Sequence, residues 1–426
     1  MPSLSESIIT NIGNSYIETY LRQKGLVKTE DEKSLDLKYW VDNLLKAKKM
    51  DIEEFEDFLF DELFWGKRKT IRVYKLESTK NYKYPADWEF FLSEKYGLDS
   101  IEFCNILNTI PNEEDEKKIV AVRSEENNSG DLVKIRILFV FYLEVREDGR
   151  YKGSSAYVPV EIDFREKLML IKAWTRQHVE YPDYKAENLI QRVKNLMEFE
   201  FKVVTQPYRM EHKKALFKMS KNLIYEAYSN IPAYNKIGNM ESFVKEFMRK
   251  TYENLSLRNV VENDNKEYVL SKEVLDFESE VKNVLESLVI SDHFFDRSYE
   301  EIWKMGLEAI VSRIKFNDKE KVLTSLSSEN TEAPIFCTKT FMSLKNRMEE
   351  TERIETLWIA MDREKRKQGH LNVKFDASNQ EFLGILITYG IRFNEADMNL
   401  ALRIYEKYDE NSIEKIGGRD KKAVGQ

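Results

Sequence analysis

The chain has 426 residues, 42% apolar and 12% aromatic, with 33% charged residues interspersed rather than blocked and a formal net charge of −8. That composition excludes a disordered or collagen-like chain and exceeds what one hydrophobic core usually holds, so two or three packed units are expected. The acidic balance excludes a global pull toward nucleic acid, so any such binding must come from a local basic surface.

The most apolar window, Ile135 to Val145, contains Arg136 and Glu144 and falls well short of the roughly 20 apolar residues that span a bilayer, so no membrane association is expected. The segment MPSLSESIITNIGNSYIETYL has helical periodicity in place of a basic n-region and cleavage site, and the expected location is cytoplasmic. Cys104 and Cys337 stand far apart in apolar settings, as buried thiols of a reducing compartment do. The usage of Lys, Glu and Asn fits an AT-rich coding genome, such as that of a low-GC bacterium or a phage of one.

Residues 1–66 read as a helical unit, with Leu4, Ile8, Ile12 and Tyr16 on one stripe and Trp40, Leu44 and Leu45 on another. Asp51 and Glu54 have capping-box spacing, Phe55, Phe58, Leu59 and Leu63 form an apolar face, and Gly66 is placed to stop the helix. A strand is expected at Thr70 to Leu76, and Pro85 opens a helix through Tyr96. From Lys118 to Thr175 the period becomes extended. KIVAVR, LVKIRILFVFYLEV, AYVPVEIDF and KLMLIKAW form an antiparallel meander with turns at Asp148-Gly149 and Arg165-Glu166. Helices are expected from Tyr184 to Tyr252, from Ser271 to Ser287 and from Ser298 to Ile314, with ENDNKE as a surface loop. Further on, APIFCT, ETLWIAM and HLNVKF are strand candidates, Ser378 and Glu381 cap a helix toward Gly390, and Asn394 opens a last helix to Tyr408.

The expected fold is a helix-rich α+β protein with a helical unit (1–66), an antiparallel sheet plus helices (67–260), and helices with a small α/β unit (261–426). In that order of elements, and in the stretch LNVKFDASNQEFLGILITYGI, the chain is similar to the centromere-protein N family, which binds chromatin without catalysis; no residue role is carried over from it.

Catalytic and cofactor chemistry finds little footing. No closely spaced glycines form a phosphate loop, no CxxC pair exists, and His178, His212, His293 and His370 are scattered, so neither a nucleotide cofactor nor a metal is expected. Asp292, His293 and Asp296 read as helix-capping groups before Ser298 rather than as metal ligands. Arg363 and His370 have the spacing of a helical metal-independent ribonuclease, but Gly369 places the pair across a turn. Glu161, Asp163 and Lys172 on adjoining strands offer a metal-dependent nuclease set, against which stands their reading as the solvent face of an antiparallel sheet.

Three basic clusters remain. The first is Lys67, Arg68, Lys69 and Arg72, with Lys75 and Tyr74 beside them. The second is Arg209, Lys213, Lys214, Lys218 and Lys221, and the third is Arg363, Lys365, Arg366 and Lys367, with Lys374. Lysine and arginine at this density neutralise phosphates and release counterions. The expected function is a non-catalytic nucleic-acid-binding subunit of a larger assembly, in transcription or in a phage or anti-phage setting. The alternatives are a metal-dependent nuclease and a protein scaffold docking through Phe58, Phe64 and Trp65 of the aromatic-rich helix.

Overall fold

A computed structural model describes residues 2–77, 83–113, 115–147, 150–176, 179, 181–255, 257–263, 268–270, 276–294, 297–317, 322–328, 333–362, 369–388 and 392–409. In chain order the elements begin with α1 (Glu6–Ile12), α2 (Asn14–Gln23), α3 (Leu37–Lys46), α4 (Ile52–Phe64), β1 (Thr70–Leu76) and α5 (Pro85–Tyr96). Next come β2 (Phe103–Cys104), β3 (Lys117–Glu126), β4 (Leu132–Glu147), β5 (Arg150–Asp163), β6 (Leu168–Ala173), α6 (Ala186–Phe199) and β7 (Thr205–Gln206). They continue through α7 (Glu211–Ser229), α8 (Glu241–Leu255), β8 (Val260–Glu262), β9 (Tyr268–Leu270), α9 (Phe277–His293), α10 (Tyr299–Trp303), β10 (Ala309–Asn317) and β11 (Leu323–Ser327). The last are α11 (Lys339–Thr351), β12 (Thr356–Met361), β13 (Leu371–Asp376), β14 (Leu383–Thr388) and α12 (Glu395–Glu406). The fold is helix-rich α+β, as its sequence implies.

The chain packs into two compact units, Met1–Arg209 with Asn379–Leu402, and Met210–Ser378 with Arg403–Gln426. The first is built on an antiparallel sheet of order β14-β1-β6-β5-β4-β3-β2, with β7 added beside β1. β4 is rich in β-branched and aromatic residues on both of its faces, the pattern of a strand covered twice. Ile135, Ile137, Phe139 and Phe141 face a layer made by α5 and α6, where Trp88, Leu92, Ile190, Val193 and Met197 are buried. Trp88 packs edge-on to Phe164 and tilted against Phe201 at the middle of this layer. Alternate residues of the same strands face α1 and α4, so the unit is helix, sheet and helix in three layers.

The second unit has an antiparallel sheet of order β11-β10-β12-β13, a hairpin of β8 with β9, and α7 packed on β10 and β12. Leu216 and Leu223 of α7 are buried, as are Ile314, Phe316, Leu357 and Ile359 of those strands. Helix α9 packs against α8 and α11. Among the described residues no helix is long and apolar enough to cross a membrane.

β1 and α5 occupy the expected residues, and all four meander strands are present as β3 to β6. Asp51 caps α4 through Glu54 N–H at 2.9 Å, and Asn394 accepts from Asp397 N–H at 3.0 Å ahead of α12. Three expectations fail. The segment after Ser378 is the strand β14, because its alternating LGILIT pairs with β1, while Ser378 and Glu381 donate from their N–H groups to Asp376 and Asn379 in turns. The helix that Ser298 opens stops at Trp303, and VSRIKF continues as β10, whose apolar residues find partners on β12. APIFCT is a short 3-10 turn at Ile335–Cys337 followed by α11, which Thr338 caps. The expected turn at Asp148-Gly149 and most of the ENDNKE loop lie outside the described residues.

Trp88→Ala removes the largest fully buried side chain of the α5/α6 layer, and urea unfolding is expected to show a loss of about 3–5 kcal/mol. A loss below about 1 kcal/mol would mean that this layer does not hold the sheet.

Candidate anion-binding site

The site begins at the end of α4. Gly66 follows Trp65 with φ +30°, and a Cβ there would lie 2.4 Å from the carbonyl oxygen of Glu62, so the sharp corner requires glycine. The corner turns the chain into Lys67, Arg68 and Lys69 before β1 begins. Gly66 also bridges to Phe393, whose ring meets Trp65 edge-on at 5.6 Å. That bridge brings Arg392 to Tyr16, with the guanidinium 4.0 Å from the ring and Glu62 as its ion-pair partner. A half-open cavity of about 110 Å³ results, walled by Asn11 and Tyr16, by Glu62, and by the cations Lys67, Lys69 and Arg392.

Its electrostatics are one-sided. Lys67 Nζ donates to the Thr10 carbonyl at 3.0 Å and lies 4.5 Å from the Trp174 ring. Burial, then the nearby Arg68 and Arg176, push the Lys67 amine below its usual pKa. Arg68 is wholly buried and donates to the Asn11 carbonyl (3.2 Å) and to Asn11 Oδ1 (2.6 Å), while its Nε has no acceptor among the described residues. Burial and the repulsion of Arg176 push Arg68 down to about 9. Arg176 lies 4.7 Å from the Trp174 ring and donates to Ser154 Oγ at 3.1 Å. Burial also lowers Arg392 to about 10. Among the described residues no carboxylate pairs with Lys67 or Arg68, so these two cations lack the counter-charge that buried charges normally require. Asn11 is itself held by donating from Nδ2 to the Ser7 and Ser155 carbonyls, both at 2.8 Å.

Only part of the first basic cluster meets here. Lys67 and Lys69 line the cavity and Arg68 lies buried beside Asn11, but Arg72 stands next along β1 from Ile71, packs over Phe382 at 4.4 Å and donates to Gln191 of α6 at 3.3 Å, on the opposite face of the sheet. Lys75 is buried 4.7 Å from the Tyr208 ring. In the second cluster, Arg209 and Lys214 are exposed, Lys213 pairs with Glu355, Lys218 is half-buried, and Lys221 lies over the Phe217 and Tyr225 rings. Arg363, Lys365, Arg366 and Lys367 lie outside the described residues, and Lys374 pairs with Asp376 at 2.7 Å. Arg176 and Arg392 complete the site. Neither stands in a local basic run, so no short-range signal marks them.

The carboxylates and lysine of the meander are not on a solvent face. Glu161 and Lys172 are buried beneath α4, because the N-terminal helices cover that side of the sheet. Arg136 Nε donates to Glu161 at 2.8 Å, and the same guanidinium pairs with Glu395 and Glu125. Burial alone would raise Glu161, but Lys172, Arg136 and Lys134 together hold it below the usual carboxylate value. Lys172 Nζ lies 3.2 Å from the Trp65 ring centroid and 3.9 Å from that of Phe64, and burial pushes its amine well below the ordinary lysine value. Asp163 accepts from the N–H groups of Arg165 and Glu166 in the turn between β5 and β6. No group of three or more potential metal ligands occurs among the described residues. His370 stacks on Trp303 at 3.9 Å ahead of β13, and Asp296 lies outside the described residues. Phe64 and Trp65 are buried and Phe58 stacks on Tyr20, so the aromatics of α4 serve the core and offer no exposed docking patch.

No protein-family model and no curated protein matches this chain, and the likeness to the centromere-protein N family in order of elements gains no support from them.

Gly66→Ala is expected to lower stability by about 1–3 kcal/mol in thermal or urea unfolding, since both φ and the Glu62 carbonyl oppose a side chain. An unchanged midpoint would show that the corner is not strained. Lys172→Met tests the buried amine. The folded amine loses its proton below the 10.5 of an ordinary lysine, so between those two values the unfolded chain binds more protons and stability rises with pH. The variant is expected to be no less stable than the parent at pH 7, with the parent gaining on it toward pH 10. A difference that does not change with pH would show that the amine is not desolvated.

Proposed function

We propose that this is a non-catalytic nucleic-acid-binding protein of the cytoplasm, working as one subunit of a larger assembly in transcription or in a phage or anti-phage system. The observation that carries the reading is the gathering of Lys67, Lys69 and Arg392 around one cavity, with Arg68 behind Asn11, in a chain whose net charge is −8. Phosphate oxygens are the common anionic groups that such a set of ammonium and guanidinium donors fits. Glu161 is engaged by Arg136, and Lys172 is capped by two aromatic rings, which argues against using them for metal-assisted cleavage. Protein partners fit the second unit, where Phe243 and Phe247 of α8 and Val284 and Leu288 of α9 are each more than half exposed.

Titration of the purified protein against labelled single- and double-stranded DNA and RNA at several salt concentrations tests the reading. Micromolar or tighter binding is expected, falling steeply with salt. Lys67→Gln, Lys69→Gln and Arg392→Gln together are expected to weaken binding and flatten its dependence on salt. Lys213→Gln is expected to matter little, because Glu355 already neutralises that side chain. Absence of binding at low salt would overturn the proposal.

A further inference from the structure

We propose that the cavity at the Gly66 corner takes a terminal phosphomonoester, the phosphorylated end of a nucleic-acid strand, rather than phosphates along its length. The inference rests on the nucleic-acid reading and narrows it. Three features of the cavity carry it.

The first is size and shape. About 110 Å³ is the space of about three or four waters, enough for one phosphoryl group with its oxygens and too little for a nucleoside. The walls come from separate places: Asn11 and Tyr16 from α1 and α2, Glu62 from α4, and Arg392 from the segment before α12. A phosphodiester must leave its site by two ester oxygens and needs a groove open at both ends. A monoester leaves by one and fits a small half-open cavity.

The second is charge. Lys67, Lys69 and Arg392 line the cavity beside the single carboxylate of Glu62, so cationic groups outnumber anionic ones in its described walls. A phosphomonoester carries about −1.5 to −2 at pH 7 and draws on such walls more strongly than a singly charged diester. The dianion also competes better with Glu62 for the Arg392 guanidinium, with which it can form two parallel hydrogen bonds.

The third is the buried guanidinium behind the wall. Arg68 is fully enclosed, has no carboxylate among the described residues, and keeps an Nε with no acceptor, yet its other nitrogens bind the Asn11 that lines the cavity. A buried cation held by a neutral amide and an aromatic ring raises the positive potential at that wall without occupying it. Such a charge is costly in the empty protein and is relieved when an anion enters.

Fluorescence anisotropy with single-stranded oligonucleotides of one sequence tests the proposal, using 5′-phosphate, 3′-phosphate and unphosphorylated forms at fixed salt, with inorganic phosphate as competitor. One of the two phosphorylated forms is expected to bind at least tenfold more tightly than the unphosphorylated form, and millimolar inorganic phosphate should abolish that advantage. Lys67→Met and, separately, Arg392→Gln should each remove the preference for the phosphorylated form. Circular dichroism melting of each variant confirms that it is folded, and the two substitutions lie on different segments, so one unfolded variant does not void the test. Equal affinity for all three oligonucleotides overturns end recognition but leaves the nucleic-acid reading standing. Phosphate binding with no oligonucleotide binding overturns both.

Discussion

The first unit depends on how it seals a charged sheet face. Opposite the apolar layer made by α5 and α6, the central strands present Arg136, Glu161 and Lys172 to the N-terminal helices, not to water. Charges removed from water must be answered locally, and each is answered in a different way. Glu161 receives Arg136, which also reaches Glu395 beside α12. Lys172 is met by the faces of Trp65 and Phe64, a cation-π seat, with the charge of Glu161 nearby. Arg68, entering from the turn after α4, is met by the oxygens of Asn11. The Gly66 corner makes these solutions compatible, because it lets the chain leave α4 sharply enough for Trp65 to stay over the sheet while Lys67 and Lys69 turn to the rim.

Sequence periodicity was most informative where a segment's environment was simple. β3 to β6 combine extended period with turn residues, and Pro85 and Asp51 mark helix starts through backbone chemistry that distant neighbours do not alter. It misled where partners come from far along the chain. LGILIT and VSRIKF carry apolar residues at spacings compatible with either helix or strand, and pairing with β1 and β12 decides for strand. The alternation of charge through Glu161 and Lys172 has the form of a solvated sheet face, and only the docking of residues more than a hundred positions earlier makes it interior. The same holds for the site: Lys67, Arg68 and Lys69 form a visible run, whereas Arg176 and Arg392 become its neighbours through β6 and the bridge at Phe393.

Charge density along the sequence is therefore a poor guide to charge left over in the fold. The second cluster is as dense as the first, but Glu355 takes up Lys213 and two rings cover Lys221. At the Gly66 corner the bookkeeping differs because Lys67 and Arg68 are held by carbonyl and amide oxygens, which accept hydrogen bonds without cancelling charge. That distinction separates a neutralised basic helix from a corner whose cations keep their charge.

The interruption of the first unit by the second has a consequence for synthesis. β1 ends at Leu76, yet its neighbour β14 begins only at Leu383, and Arg392 and Phe393 follow later still. At ordinary translation speeds of ~5–20 residues per second the ribosome needs on the order of tens of seconds to cover that interval. During it the Thr70–Val73 stretch of one β1 edge has no partner strand, β7 covering only Lys75 and Leu76, and the Gly66 corner lacks the segment that closes it. A nascent or prematurely terminated chain therefore carries an exposed stretch of sheet edge in place of the closed Gly66 corner, and such an edge is a template for pairing with other chains.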